Sequence, residues 1–162
     1  METKKQMVSF RLNNEYYCIE IDDVREVIRF TEAIPIPNCP KFVEGVINLR
    51  GKIIPIVDLK KRFNLSLSEL NQNEPEDDEE NFHRGILIIQ LTNIMLGIII
   101  DQVSRVVTVE GNTIQPPPHM ISGIGIEYIG GVINQTDGLL TILNIQKLFS
   151  NEELKQLESV NQ

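Results

Sequence analysis

The strongest constraint on this chain is that it repeats itself. "LNNEYYCIEIDDVREV" at 12–27 matches "LTNIMLGIIIDQVSRV" at 91–106 at seven of sixteen positions, including Asn14/Asn93, Asp22/Asp101 and Val24/Val103, at an offset of 79. "FVEGVINLRGKIIPIVDLKKRF" at 42–63 then matches "YIGGVINQTDGLLTILNIQKLF" at 128–149 at an offset of 86. Gly45/Gly131, Val46/Val132, Ile47/Ile133, Asn48/Asn134, Ile56/Ile142, Lys61/Lys147 and Phe63/Phe149 are identical there. The second copy carries seven extra residues, around "EGNTIQPPPHMISGIG". Two blocks in the same order imply two similar subdomains.

Strand-length apolar or alternating runs fill both copies: "MVSFRL", "YYCIEI", "GVIN" and "KIIPIV", then "GILIIQL", "MLGIII", "RVVTV", "GGVIN" and "LLTIL". Separated by Asn, Gly, Pro and Asp, they indicate an all-β domain. Each copy offers about five strands, enough to curl into a small barrel that hides most of its edges. The expected architecture is two pseudo-symmetric five-stranded β-barrels packed on an apolar seam within residues 6–150. The first barrel is expected mainly at 14–65 and the second mainly at 84–149. Between them, at 66–83, the run Glu76-Asp77-Asp78-Glu79-Glu80 repels itself and has nothing to bury, so it reads as a solvated linker. It lacks the alternating ligands and the glycine of an EF-hand calcium loop. A short C-terminal α-helix is expected at 150–159, where Ser150 and Glu153 form a capping box ahead of Leu154 and Leu157.

Composition narrows the function. A chain of 162 residues can bury a core without disulfides or metal, and Cys18 and Cys39 read as reduced thiols outside any CxxC pattern. The net charge of -8 leaves little attraction for phosphate backbones, so nucleic acid is not an expected partner. No run of about 18 apolar residues is present, and "METKKQMVSF" lacks the apolar centre of a signal peptide, so a cytoplasmic protein without membrane insertion is expected.

Enzyme signatures are missing too. His83 and His119 read as loop histidines, with no HExxH, GxSxG or Walker-type loop, and "GIGIEYIGG" has the wrong spacing for a dinucleotide fingerprint. Asp22, Asp23 and Asp58 are carboxylates without a catalytic arrangement, since adjacent strand residues point to opposite faces. The expectation is no enzyme, no catalytic residue, no cofactor and no metal site.

The repeat separates scaffold from candidate function. Gly45 and Gly131 are shared, and serve either close approach or an unusual backbone angle at a strand start. Asp22 and Asp101 are shared, and are expected to cap the turn after a strand. The copies disagree at Glu26 opposite Arg105 and at Arg50 opposite Thr136. In the second turn Asp137-Gly138 supplies ordinary hairpin chemistry, so the fold does not require an arginine there. Arg50 is then either a solvated turn residue or one half of a pair with Glu26 that holds a partner-binding face in shape. Pro55 fits the second reading, because a proline within a strand belongs on an edge open to other chains.

The run "IPIPNCPKFVEGVINLRGKIIPIVDLKKRF", preceded by "IEIDDVREVIR", resembles the CheW family of chemotaxis coupling proteins, over about residues 6 to 150. The resemblance implies two SH3-like barrels with an apolar interior between them. It implies a non-catalytic adaptor that joins the cytoplasmic tips of methyl-accepting chemoreceptors to the regulatory domain of the histidine kinase CheA, in a two-component signalling system. Such a protein would be cytoplasmic and recruited to membrane-associated receptor arrays. The family's Glu-Arg pair falls on Glu26 and Arg50, and positions that affect partner contacts fall on or near Val24, Gly45 and Gly51. A ligand-sensing double barrel and an adaptor of a surface-motility pathway are the alternatives. The kinase itself would need phosphotransfer and ATP-binding domains, and neither fits within these 162 residues.

Overall fold

The computed structural model describes residues 4–63, 84–116, 128–135 and 138–160, without the side chains of residues 104 and 160. The acidic run, His83, His119 and the turn residues Thr136 and Asp137 lie outside them. The described strands are β1 (Lys4–Leu12), β2 (Glu15–Glu20), β3 (Val24–Arg29), β4 (Val43–Leu49), β5 (Lys52–Val57), β6 (Gly85–Gln90), β7 (Met95–Ile100), β8 (Gln102–Glu110), β9 (Ile129–Gln135) and β10 (Gly138–Leu143). A one-turn helix, α1 (Leu59–Arg62), follows β5, and α2 (Asn151–Val160) ends the described chain.

The all-β class holds, but the two copies do not each keep their own strands. Sheet A has the order β8-β1-β2-β10-β9 and sheet B the order β3-β6-β7-β5-β4. Each sheet therefore takes three strands from one copy and two from the other, so the sheets do not divide at the expected boundaries of 14–65 and 84–149. The exchange occurs after β2, where the 3₁₀ turn Ile21–Asp23 leads the chain from sheet A to sheet B, and after β7, where it returns at Asp101. The splices are parallel, β2 on β10 and β5 on β7. Each satisfies an edge that one copy alone would leave open.

Curvature comes from bulges. All four outer pairs carry a register shift: β1/β8, β10/β9, β3/β6 and β4/β5. A bulge bends its strand and increases the twist, so each sheet curls at both margins. One bridge then draws the margins together. In sheet B, Ile34 N–H donates to Val46 O at 2.8 Å and Val46 N–H to Ile34 O at 2.9 Å. In sheet A, Gln115 and Val132 exchange the equivalent bonds at 2.9 Å.

Alternation along the strands serves two interiors at once. On β1 and β2, Val8, Phe10, Leu12, Tyr17 and Ile19 face a core shared by both sheets, whereas Met7 and Cys18 face the inside of sheet A. On β6 and β7, Leu87, Ile89, Leu96 and Ile98 join the shared core while Ile86, Ile88 and Ile99 fill the inside of sheet B. Strands buried on both faces have no polar side, which is why "GILIIQL" and "MLGIII" read as continuous apolar runs.

Gly45 meets both of its expected reasons. Its φ is +146°, and an added Cβ would lie 2.1 Å from the Ile34 carbonyl oxygen. The bridge that draws sheet B round passes through the space a side chain would need.

The tail is docked through its cap and through Arg62. Ser150 N–H donates to Glu153 Oε1 at 2.8 Å and Glu153 N–H to Ser150 Oγ at 3.1 Å, completing the capping box. Arg62 donates to Leu148 O and the Tyr128 hydroxyl, both at 3.0 Å, and to Glu153 Oε1 at 3.2 Å. Its guanidinium also lies 5.3 Å from the Phe42 ring centre and 5.1 Å from that of Tyr128. Leu157 of α2 closes over the shared core.

Candidate functional site

The β4–β5 hairpin turns through two residues, Arg50 and Gly51, between the last register pair, Leu49 and Lys52. Both have positive φ, +51° and +87°, as a type I′ turn demands. Asn48 Oδ1 accepts from Gly51 N–H at 2.9 Å and steadies the bend. Gly51 needs the backbone freedom alone, since a Cβ there would meet no atom within 4 Å. For Arg50 the left-handed region costs about 1 kcal/mol or more relative to glycine, and such strain is retained mainly where the side chain is used.

The Arg50 side chain is used. Its Nη2 donates to Glu26 Oε1 on β3. β3 and β4 are the two outer strands of sheet B, so the ion pair, like the Ile34–Val46 bridge, joins the two margins of the sheet. The register shift between Val24 and Glu26 falls on this same strand, where a bulge re-aims the side chains around it. The Glu26 side chain is 30% exposed and that of Arg50 71%, so the pair faces solvent and contributes about 0 to 1 kcal/mol of stability. Its consequence is geometric.

The other expected positions divide. Val24 is half-buried against the shared core, and Gly45 seats the Ile34 bridge. Gly45 has no side chain, and that of Val24 packs partly on the core. The turn-capping expected of both aspartates also divides. Asp101 Oδ2 accepts from Asn13 N–H at 2.7 Å, capping the β1–β2 hairpin rather than the turn after its own strand. It also pairs with Lys60 at 2.7 Å, tying α1 to the second copy. Asp22 is exposed in its 3₁₀ turn.

Burial pushes the Asp58 carboxyl up, against the opposing bond it accepts from Lys60 N–H at the start of α1. The Glu44 carboxylate holds Lys61 above its ordinary value. Burial pushes the Cys18 thiol up to about 12. Among the described residues no three of His, Cys, Asp and Glu converge as metal ligands.

A double all-β unit whose distinctive residues shape a surface rather than line a reaction centre has the construction of a docking protein. Residues 6–153 match the family described as CheW-like domain, and the chain belongs to that family of chemotaxis scaffolding proteins. It is 41% identical over 155 residues to the chemotaxis protein CheW of Treponema pallidum (strain Nichols), covering 96% of this chain and 88% of that one. It is 30% identical over 149 residues to CheW of Rhizobium meliloti (strain 1021), covering 92% and 90%. The crystal structure of the scaffolding protein TtCheW from Thermoanaerobacter tengcongensis superimposes with a TM-score of 0.77 at 33% identity, covering 93% and 91% of the two chains. The family is one of scaffolds and not of catalysts, and no described helix is long and apolar enough to cross a membrane.

Arg62 and the Lys60–Asp101 pair are the residues that sequence reasoning missed. The run Lys60-Lys61-Arg62 reads as an ordinary basic helix end, and nothing in it distinguishes the one cation that faces water most from the two that join the copies.

Proposed function

We propose that this chain is a non-enzymatic adaptor that joins the cytoplasmic tips of methyl-accepting chemoreceptors to the regulatory domain of the histidine kinase CheA. The observation that carries this reading is the Glu26–Arg50 pair, which spans the margin of sheet B from a turn in which arginine is the strained choice. A residue kept there at a conformational cost, with little return in stability, is explained by a surface that must keep its shape for a partner. Gly51 allows the turn that carries Arg50, and Val24 and Gly45 support that shape from behind. In this role the protein is cytoplasmic and is held at membrane-associated receptor arrays by its partners. Exposed margins of small sheets suit such binding, by strand addition or by seating an amphipathic helix.

Gel filtration of the protein mixed with a kinase regulatory domain and with a receptor cytoplasmic fragment tests the proposal. Co-migration with both at concentrations of about 10 μM supports it, and migration apart from both overturns it.

A further inference from the structure

A cavity of about 390 Å³ opens at one end of sheet A, within the range of about 300–1,000 Å³ typical of small-molecule sites. Polar Ser9, Tyr16, Arg105 and Gln135 line it together with apolar Val107, Leu139 and Leu140. The internal repeat supplies a control for what belongs there. Strand registers superimpose the hairpins: Arg11 opposite Tyr16 corresponds to Gln90 opposite Met95, and Gln135 opposite Gly138 corresponds to Leu49 opposite Lys52. By the same offsets, Ser9 corresponds to Ile88, Tyr16 to Met95, Val107 to Ile28, Gln135 to Leu49 and Leu140 to Ile54. In sheet B those five residues pack together as an apolar interior. The fold therefore closes this end with hydrocarbon when nothing else is asked of it. Sheet A has exchanged a buried isoleucine, a methionine and a leucine for a hydroxyl, a phenol and an amide, and stands open.

Charge completes the difference. Arg105 occupies the position of Glu26, and among the described residues its guanidinium makes no ion pair. Arg11 lies on the face of β1 that carries Ser9, directly across from Tyr16, and its buried Nε has no hydrogen-bond partner. A buried donor left unpaired is costly and calls for a missing acceptor. The Arg105 guanidinium, the Gln135 amide and the Tyr16 phenol line the cavity, with Arg11 next to it across from Tyr16, and they offer donors of the kind a carboxylate accepts. The aliphatic residues of the same lining call for an apolar body on the same molecule.

We infer that the open end of sheet A is a binding site for a small amphipathic carboxylate, its acid group on Arg105 and its hydrocarbon part against Val107, Leu139 and Leu140. Ser9 is spent on the scaffold, since its Oγ donates to Arg105 O at 2.9 Å and so fixes the strand that carries the arginine.

The test is a titration of the full chain, methyl-labelled for NMR, with 4-phenylbutyrate as the probe and 4-phenylbutyramide as its uncharged control. Saturable shifts at the methyls of Val107, Leu139 and Leu140 are expected, with a dissociation constant on the order of 1 mM or tighter. The amide and the Arg105→Gln variant are each expected to bind about tenfold more weakly, Arg105→Lys in between, and Arg25→Gln as the parent does. No saturation by about 10 mM, equal binding of acid and amide, or shifts confined to sheet B would each overturn the proposal. So would saturation of these methyls by an acidic peptide with none by phenylbutyrate, which would make the cavity part of a protein interface. Unchanged chemical shifts elsewhere in Arg105→Gln show that a loss of binding is not a loss of fold.

Discussion

Arg50 reaches from the turn after β4 to Glu26 on β3, so one ion pair joins the two outer strands of sheet B. Because Arg50 holds a φ of +51° to do this, its backbone and its side chain make opposite predictions. Arg50→Gly relieves the turn and is expected to leave stability unchanged or raise it by up to about 1 kcal/mol in urea unfolding. The same variant is expected to weaken partner binding. Loss of both together would make Arg50 a structural residue.

Two glycines of the same hairpin respond differently to alanine. At Gly45 the new Cβ would meet the Ile34 carbonyl at 2.1 Å, so Gly45→Ala must break the bridge that draws sheet B round. A loss of about 3 kcal/mol or more is expected. Gly51→Ala meets no atom and bears only the strain of its φ, about 1 kcal/mol. Equal denaturation midpoints for the two variants would contradict this ordering.

The C-terminal helix is held by Arg62 more than by its own propensity. Replacing Arg62 with alanine removes the donor to the Tyr128 hydroxyl and Leu148 O, leaves Glu153 only its capping-box bond, and removes the guanidinium from two aromatic rings, with an expected loss of about 2–3 kcal/mol. Hydrogen exchange is expected to accelerate first at residues 151–160, ahead of β6 and β7 in the core.

Alkaline pH tests the buried thiol. Cys18 lies inside sheet A with its pKa pushed from 9.0 to about 12 by burial. A raised folded-state value means that the thiol favours folding fully below pH 9 and progressively less as pH rises towards 12, because only the unfolded chain ionises easily. Tyr17, raised in the same direction by burial and by Glu15, loses its contribution at still higher pH. Stability is therefore expected to fall above pH 9, less steeply in Cys18→Val. At pH 8, half-buried Cys39 is expected to react with a thiol reagent before denaturation and Cys18 only after it.

Much of this was legible because repetition turns one sequence into two observations. Shared Gly45 and Gly131 marked the scaffold, and the departures at Glu26 and Arg50 marked a pair that the structure brings into contact. The exchange of strands between sheets was not legible. Whether β2 would pair with β5 or with β10 turns on two equivalent strands that share the isoleucine at 56 and 142 and a similar apolar pattern, so local pattern could not choose. Arg62 was hidden for a related reason: Tyr128 and Glu153 lie 66 and 91 residues away, and only the topology makes them neighbours. Arg105 stood out by subtraction, yet Ser9, Tyr16 and Gln135 are unremarkable until the registers place them around one cavity.

The central claim, that Glu26 and Arg50 act as a pair to shape a docking face, is tested most directly by a charge-exchange cycle read as affinity for the kinase regulatory domain and for the receptor fragment. Glu26→Arg and Arg50→Glu singly are expected to weaken binding about tenfold or more, and the double exchange to recover a large part of that loss. Singles that bind as the parent does, or a double exchange as weak as the poorer single, would contradict it.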